Sequence, residues 1–386
     1  MEQIVAADAS HRFGIMGRER DEEVSKMSIA LSHGGTTMYT SSTQSRDVLV
    51  GTREGIVTIQ RNAGGAGWHV AQRALTDRHI HAIVLEPASG TIFAGAHKGG
   101  LYASTDGGKT WSERNDGLTE NDIYSLASAK VDGKVRVYAG TEPAHLFVSE
   151  DLGQQWRELP ALRKVPGSER WSFPAPPHVG HLKHINFDPR DSNTMFASIE
   201  VGGLLKSVDA GETWTEIPGM YEDVHRTVIN PARPERIYVS GGDGVYVTSD
   251  AGATWEHWAT RESEIGGYPD LLVFGQKNPE LMFIAAAQCS PGEWRKSHFA
   301  GARVSRSRDG GRTWEILSNG LPDRLQASVE AMCLEQNGAS CTVLFATTAG
   351  EVYGSDDAGD SWSVAVKGLA PISKGGHYHA LVAATA

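Results

Sequence analysis

The chain has 386 residues, 22% of them charged and 40% hydrophobic, which is the composition of a globular protein. A formal net charge of -11 with no basic stripe argues against nucleic acid and anionic membranes as partners. Three cysteines (Cys289, Cys333, Cys341) are too few for a disulfide framework, and no segment approaches the roughly 18 uninterrupted apolar residues of a membrane span.

Residues 1–44 show no repeat and are rich in Ser, Thr and charge. They are expected to be an extension, ordered only where it docks, in front of a repeat domain over 45–386. The first residues lack the apolar core of a secretory signal, so the cytoplasm is the expected location.

Repeats begin at about residue 46. The octapeptide STDGGKTW (104–111) returns as SVDAGETW (207–214), TSDAGATW (248–255), SRDGGRTW (307–314) and SDDAGDSW (355–362), with a worn copy in SEDLGQQW (149–156). RNAGGAGW (61–68) keeps only the glycines and the Trp. Ahead of each Trp lies a short β-rich pair such as TIFAGAHKGGLYAS, and behind it a polar strand such as TWSERND, followed by a new apolar strand such as HAIVLEP. That makes about four strands per unit at a spacing of about 41 to 59 residues, which predicts an all-β propeller and excludes a helical solenoid.

The octapeptide resembles the Asp-box, or BNR, repeat of sialidase-like, sortilin-like and photosystem-assembly propellers, and the resemblance covers nearly all of residues 46–386. Within it the Asp accepts turn N–H groups, a Gly takes a left-handed position and the Trp packs on the sheet. The box therefore reads as a fastener between the two outer strands of a blade. The resemblance specifies the fold and leaves the activity open. Sialidases carry an Arg-Ile-Pro motif that this sequence lacks, xyloglucan-type glycosidases use two facing propellers, and sortilin-like receptors continue into Cys-rich modules.

Six innermost strands lie between consecutive Trp units: HIHAIVLEP (79–87), NDIYSLASA, HLKHINFDP (181–189), DVHRTVINP (223–231), YPDLLVF and SVEAMCLEQ. A seventh, HYHALVAATA (377–386), is expected to complete the first blade and close a ring of seven four-stranded blades.

Aligned on their apolar cores, the seven strands place His81, Tyr124, Lys183, His225, Asp270, Glu330 and His379 at one level of the central channel. Two residues earlier come His79, Asp122, His181, Asp223, Tyr268, Ser328 and His377, and residues i and i+2 of a strand share a face. Loops between the second and third strands add His97, Glu142, His145, Glu200 and, in an insertion at 288–302, Arg295 and His298. Trp171 and Trp294 fall in insertions over the same mouth.

Imidazoles converging with a carboxylate suit Mn, Fe, Zn or Cu, and His81, His225, Glu330 and His379 are the expected ligands. Lys183, Tyr124, His184 and Arg226 are the candidates for moving protons or holding an anionic group. His79, His97, Glu142, His145, His181, Glu200, Arg295, His298 and His377 are the candidates for contacting substrate. The expected function is a metal-dependent lyase or hydrolase for a small polar or anionic molecule. The competing readings are a non-catalytic binding or assembly propeller, and a glycosidase-like hydrolase using paired Asp among Asp122, Asp223 and Asp270.

Overall fold

Each repeat folds as a sheet of short strands, and there are seven such sheets: six of four strands and one of five. The structure is a computed structural model that describes residues 28–373, apart from Ala66 and Ala339. The second blade shows the pattern, with Ile80–Leu85 innermost, then Ile92–Ala96, Gly100–Ser104 and the two-residue outer strand Ser112–Glu113. The inner three are buried almost throughout, because each blade packs both faces against its neighbours. Their sequences are accordingly apolar runs without alternation, and only the outer strand faces water.

The Asp-box joins the two outer strands, as its composition predicts. Asp106 accepts the backbone N–H groups of Lys109 (3.0 Å) and Thr110 (2.9 Å) and the Thr110 hydroxyl (2.6 Å), and Trp111 Nε1 donates to the Gly108 carbonyl at 3.0 Å. Asp209, Asp250 and Asp309 each repeat the backbone and hydroxyl bonds to the Thr four residues on.

Ring closure differs from the sequence expectation. The first blade's strand Asp47–Thr52 has Gly55–Arg61 on one side and Ile29–Leu31, in parallel, on the other. The place expected for residues 377–386 is thus filled from the N-terminal side, and 377–386 lie outside the described residues. The segment read as an extension also contributes Met38–Ser41, which lies parallel to the seventh blade's inner strand Val329–Asn337 as a fifth strand. Ile29, Ala30 and Leu31 are each 1% exposed or less, so this short apolar triplet supplies ladder bonds and core together.

Between these two strands, residues 32–37 run through the centre of the ring. Gly34 N donates to His81 O (3.0 Å) and Gly34 O accepts from Leu126 N (2.9 Å), while Thr36 N reaches Ile83 O (3.2 Å) and Thr37 O accepts from Leu334 N (2.8 Å). Arg226, from the fifth blade, donates to the His33 carbonyl at 2.6 Å. The channel is therefore plugged by the chain's own backbone. Two glycines permit this approach: a Cβ on Gly34 would collide with the carbonyl of Tyr124, and one on Gly35 with that of Ile83.

Candidate axial site

Six inner strands carry a break of register at one shared place. His81, Tyr124, Lys183, His225, Asp270 and Glu330 have no opposite residue on the adjacent strand. Such a bulge leaves one residue unpaired and re-aims its side chain. All six are 5% exposed or less. The level aligned from sequence is thus a repeated backbone device. The first blade contributes His33 in its place, with Nδ1 donating to the Glu330 carbonyl at 3.0 Å and the ring edge-on to Tyr124 at 6.3 Å.

The side chains divide into two groups. Across the third to sixth blades, Lys183 Nζ lies 2.9 Å from both Glu200 Oε2 and Asp270 Oδ1. His181 Nε2 is 2.7 Å from the same Glu200 oxygen, and its Nδ1 is 3.3 Å from Glu142 Oε2. His225 Nδ1 donates to the Pro269 carbonyl at 2.8 Å, while its Nε2 faces Asp223 Oδ1 at 3.2 Å and Glu200 Oε1 at 3.8 Å. Burial alone would push the His181 pKa down, but hydrogen bonds to Glu142 and Glu200 outweigh it and raise it.

The second group gathers imidazoles on the second blade. The His81 ring lies 4.6 Å from that of His79 and 5.5 Å from that of His97. Burial, reinforced by the surrounding imidazoles, holds the His81 pKa well below the usual histidine range, so His81 is neutral. His97 pairs with Asp122 at 2.9 Å, and His79 Nε2 donates to the Ser373 carbonyl at 3.0 Å. Tyr124 links the groups, stacked on His181 at 3.9 Å and edge-on to His81 at 5.2 Å.

Sequence reasoning placed Trp171 and Trp294 in insertions over the mouth, and Trp294 joins an apolar cover there. Phe173 lies 5.0 Å from the His181 ring and joins Tyr268, Ala287, Trp294 and Ala300 in one apolar cluster. Trp294 sits on the short helix Pro291–Ser297, fixed by a capping box between Ser290 and Glu293. Trp171 packs instead beside the third and fourth blades. An open depression of about 410 Å³ has Asp122 and Glu142 in its wall.

Several expected site residues lie elsewhere. His184 and Arg226 point to the plug: Arg226 Nη1 is 3.3 Å from His184 Nε2 and 3.4 Å from Thr37 Oγ1. Burial lowers the Arg226 pKa to about 10 and that of His184 well below its usual range. His145 turns to Glu158 on an outer strand at 3.1 Å, and His298 is exposed at the end of the insertion helix. His377, His379 and the Arg295 side chain lie outside what is described. Asp122, Asp223 and Asp270 each face a histidine or lysine, a different arrangement from two carboxyls flanking a cleft.

Among the described residues, one set of three possible ligand atoms converges within 4.8 Å, from Glu200, Asp223 and His225. Of the four ligands expected from sequence, His225 joins it, while His81 and Glu330 do not. Sequence reasoning assigned Glu200 to substrate and missed His33 altogether. The one signal for His33 is the apolar triplet Ile29–Leu31 before it, which is too short to show a strand period.

Fold, fastener and buried polar axis together define a BNR-type seven-bladed β-propeller. Comparison with known proteins agrees. A model of the sortilin (neurotensin receptor 3) family matches residues 202–323, and one of the photosystem II assembly factor YCF48 family matches residues 67–172. An oligoxyloglucan-reducing end-specific xyloglucanase of Emericella nidulans is 24% identical over 47% of this chain and 25% of its own length. The photosystem II assembly lipoprotein Ycf48 of a Synechococcus species is 28% identical over 44% of this chain and 48% of its own. The chain thus spans less than half the length of these relatives. Among solved structures, the GH74 enzyme of Niastella koreensis superposes with a TM-score of 0.60 at 20% identity, covering 88% of this chain and 55% of that one. YCF48 from Cyanidioschyzon merolae superposes with a TM-score of 0.55 at 17% identity, covering 82% and 92%. At these identities the likeness is one of fold. No helix among the described residues is long and apolar enough to cross a membrane.

Proposed function

We propose that this propeller is a metal-dependent hydrolase acting on a small polar molecule at the axial centre. One observation carries the reading. Glu142, His181, Glu200, Lys183, Asp270, His225 and Asp223 form a chain of ionisable side chains, each within 3.4 Å of the next and none more than 9% exposed. Burying charge costs several kcal/mol per ion even when paired, and an axis needed only for packing would be filled with aliphatic side chains. A divalent metal held here would supply Lewis-acid polarisation of a carbonyl or of water. Lys183 holds Glu200 and Asp270 in place, and the Tyr124 phenol, stacked on His181, is the proton carrier nearest to both groups. The depression beside Glu142 is the approach from solvent.

The similarity to a xyloglucanase supports hydrolysis over elimination as the class. Six buried axial carboxylates (Asp122, Glu142, Glu200, Asp223, Asp270, Glu330) outnumber the buried Lys183 and Arg226, which favours a neutral polar substrate over the anionic one expected from sequence. The second reading is a binding propeller, and the cover of Phe173 and Trp294 over the axis favours it. The test is a panel of chromogenic small esters, amides and glycosides, offered to untagged protein with and without chelator. Turnover that falls at least tenfold on chelation and in Tyr124→Phe supports the hydrolase. No turnover on any class would transfer the function to the binding reading.

A further inference from the structure

We infer that Glu200, Asp223 and His225 form a divalent-cation site, which shares only His225 with the ligand set the sequence suggests. The inference rests on the hydrolase reading only for what the cation would do there.

Three observations converge. The first is orientation. His225 Nδ1 lies 2.8 Å from the Pro269 carbonyl, which can only accept, so Nδ1 carries a proton and Nε2 is the nitrogen that points at Asp223 and Glu200. A backbone carbonyl fixing the far nitrogen in this way is the usual support of a metal-binding imidazole. The second is an unmet need. His225 is 1% exposed, and both its Nε2 and Asp223 Oδ1 are buried without a hydrogen-bond partner. An imidazole nitrogen 3.2 Å from a carboxylate oxygen needs a proton or a metal cation between them. Ligand atoms about 2.1 Å from a common ion lie about 3 to 3.5 Å apart at tetrahedral or octahedral angles; His225 Nε2 and Asp223 Oδ1 are 3.2 Å apart, and Glu200 Oε1 stands farther off at 3.8 Å from that nitrogen.

The third is charge. The chain from Glu142 to Asp223 holds four carboxylates (Glu142, Glu200, Asp223, Asp270), and Lys183 is the one ammonium among them. A divalent ion would offset part of this excess of acidic groups. Lys183 does not take its place, since the ammonium bonds Glu200 Oε2 while Oε1 is the oxygen near His225. Two oxygens and one imidazole suit Mn, Fe or Zn in the divalent state better than Cu(I).

The test uses the full chain, stripped with chelator and titrated calorimetrically with MnCl2 and with ZnCl2. One equivalent should bind. Asp223→Asn and His225→Gln should each weaken binding by at least about tenfold, while His81→Ala and Glu330→Gln should bind as wild type does. If the ligand variants fail to fold, spin-echo spectroscopy of Mn2+ bound to wild type reads the same question, and coupling to one histidine nitrogen is expected. Wild type that binds neither ion overturns the site, leaving a proton on Nε2 to bridge the contact. An equal loss in His81→Ala, or coupling to several histidines, overturns the ligand assignment in favour of the ring-level set. Binding without hydrolysis supports the site and removes the hydrolase, whereas chelator-resistant hydrolysis with no binding removes the site and the metal dependence and leaves hydrolysis itself.

Discussion

The Cα of Gly34 faces the carbonyl oxygen of Tyr124 so closely that no side chain fits between them. Gly34 belongs to the plug and Tyr124 to the bulge that points into the centre, so one contact ties ring closure to the site. Gly34→Ala must move backbone, and overpacking of that kind costs about 3 kcal/mol. Gly292→Ala is the control, on the exposed helix Pro291–Ser297 with only Ser290 Oγ near, at 3.9 Å. Urea midpoints should fall for the first and hold or rise for the second. Equal midpoints would show that the plug does not help to hold the ring.

The Asp-boxes should govern acid stability. Hydroxyl groups, first of Thr248 and then of Thr254, hold the Asp250 carboxyl down at about 2, and Thr313 does the same for Asp309 at about 2. An unfolded Asp titrates near ~3.9. A folded pKa below the unfolded one gives stability that is complete above that value and is lost as pH falls towards the folded value. Melting temperatures of wild type should therefore drop between about pH 4 and pH 2, with a shallower drop in Asp250→Asn. Cation affinity at neutral pH should be the same in both, because the box lies at the outer rim. A change in affinity would give the box a second role.

The inner strands and their shared level were legible because each strand repeats an apolar core between polar ends, and a period of two fixes which residues point inward. The bulges that expose that level were not legible, since they depend on how each strand meets its partner. His81 and His225 share one level of the alignment, yet they stand on the inner strands of the second and fifth blades. Residues that do converge, Glu200 with Asp223 and His225, come from the end of one blade's second strand and from the next blade's inner strand. Closure was misread for a related reason. HYHALVAATA carries the full inner-strand pattern, whereas Ile29–Leu31 is only three residues long, too short for periodicity to register.

Phe173 should act as a cover. It packs against His181 on one side and shares a cluster with Tyr268 and Trp294 on the other. Phe173→Ala should cost about 3 kcal/mol from lost burial. It should also speed exchange of Mn2+ between protein and chelator, leaving the equilibrium ligand set unchanged. Exchange at the wild-type rate would place the entrance elsewhere and leave Phe173 a packing residue.

Lys183 should prove indispensable to the fold as well as to the site. Its ammonium is 1% exposed and stands 2.9 Å from a carboxylate oxygen on each side, Glu200 Oε2 and Asp270 Oδ1. Lys183→Met keeps most of the volume but leaves two buried carboxylates without their common cation, and breaking a buried pair in this way costs about 3–5 kcal/mol. The remedy open to the variant is to take up a proton. Its deficit should therefore shrink as pH falls from 8 towards 5, whereas a deficit caused by lost packing alone would not change over that range. Denaturant midpoints of both proteins across the range decide between the two, and a pH-independent gap would mean that the axial charges are compensated by groups other than Lys183. Divalent cation should narrow the gap too, since the proposed site shares the Glu200 carboxylate with Lys183.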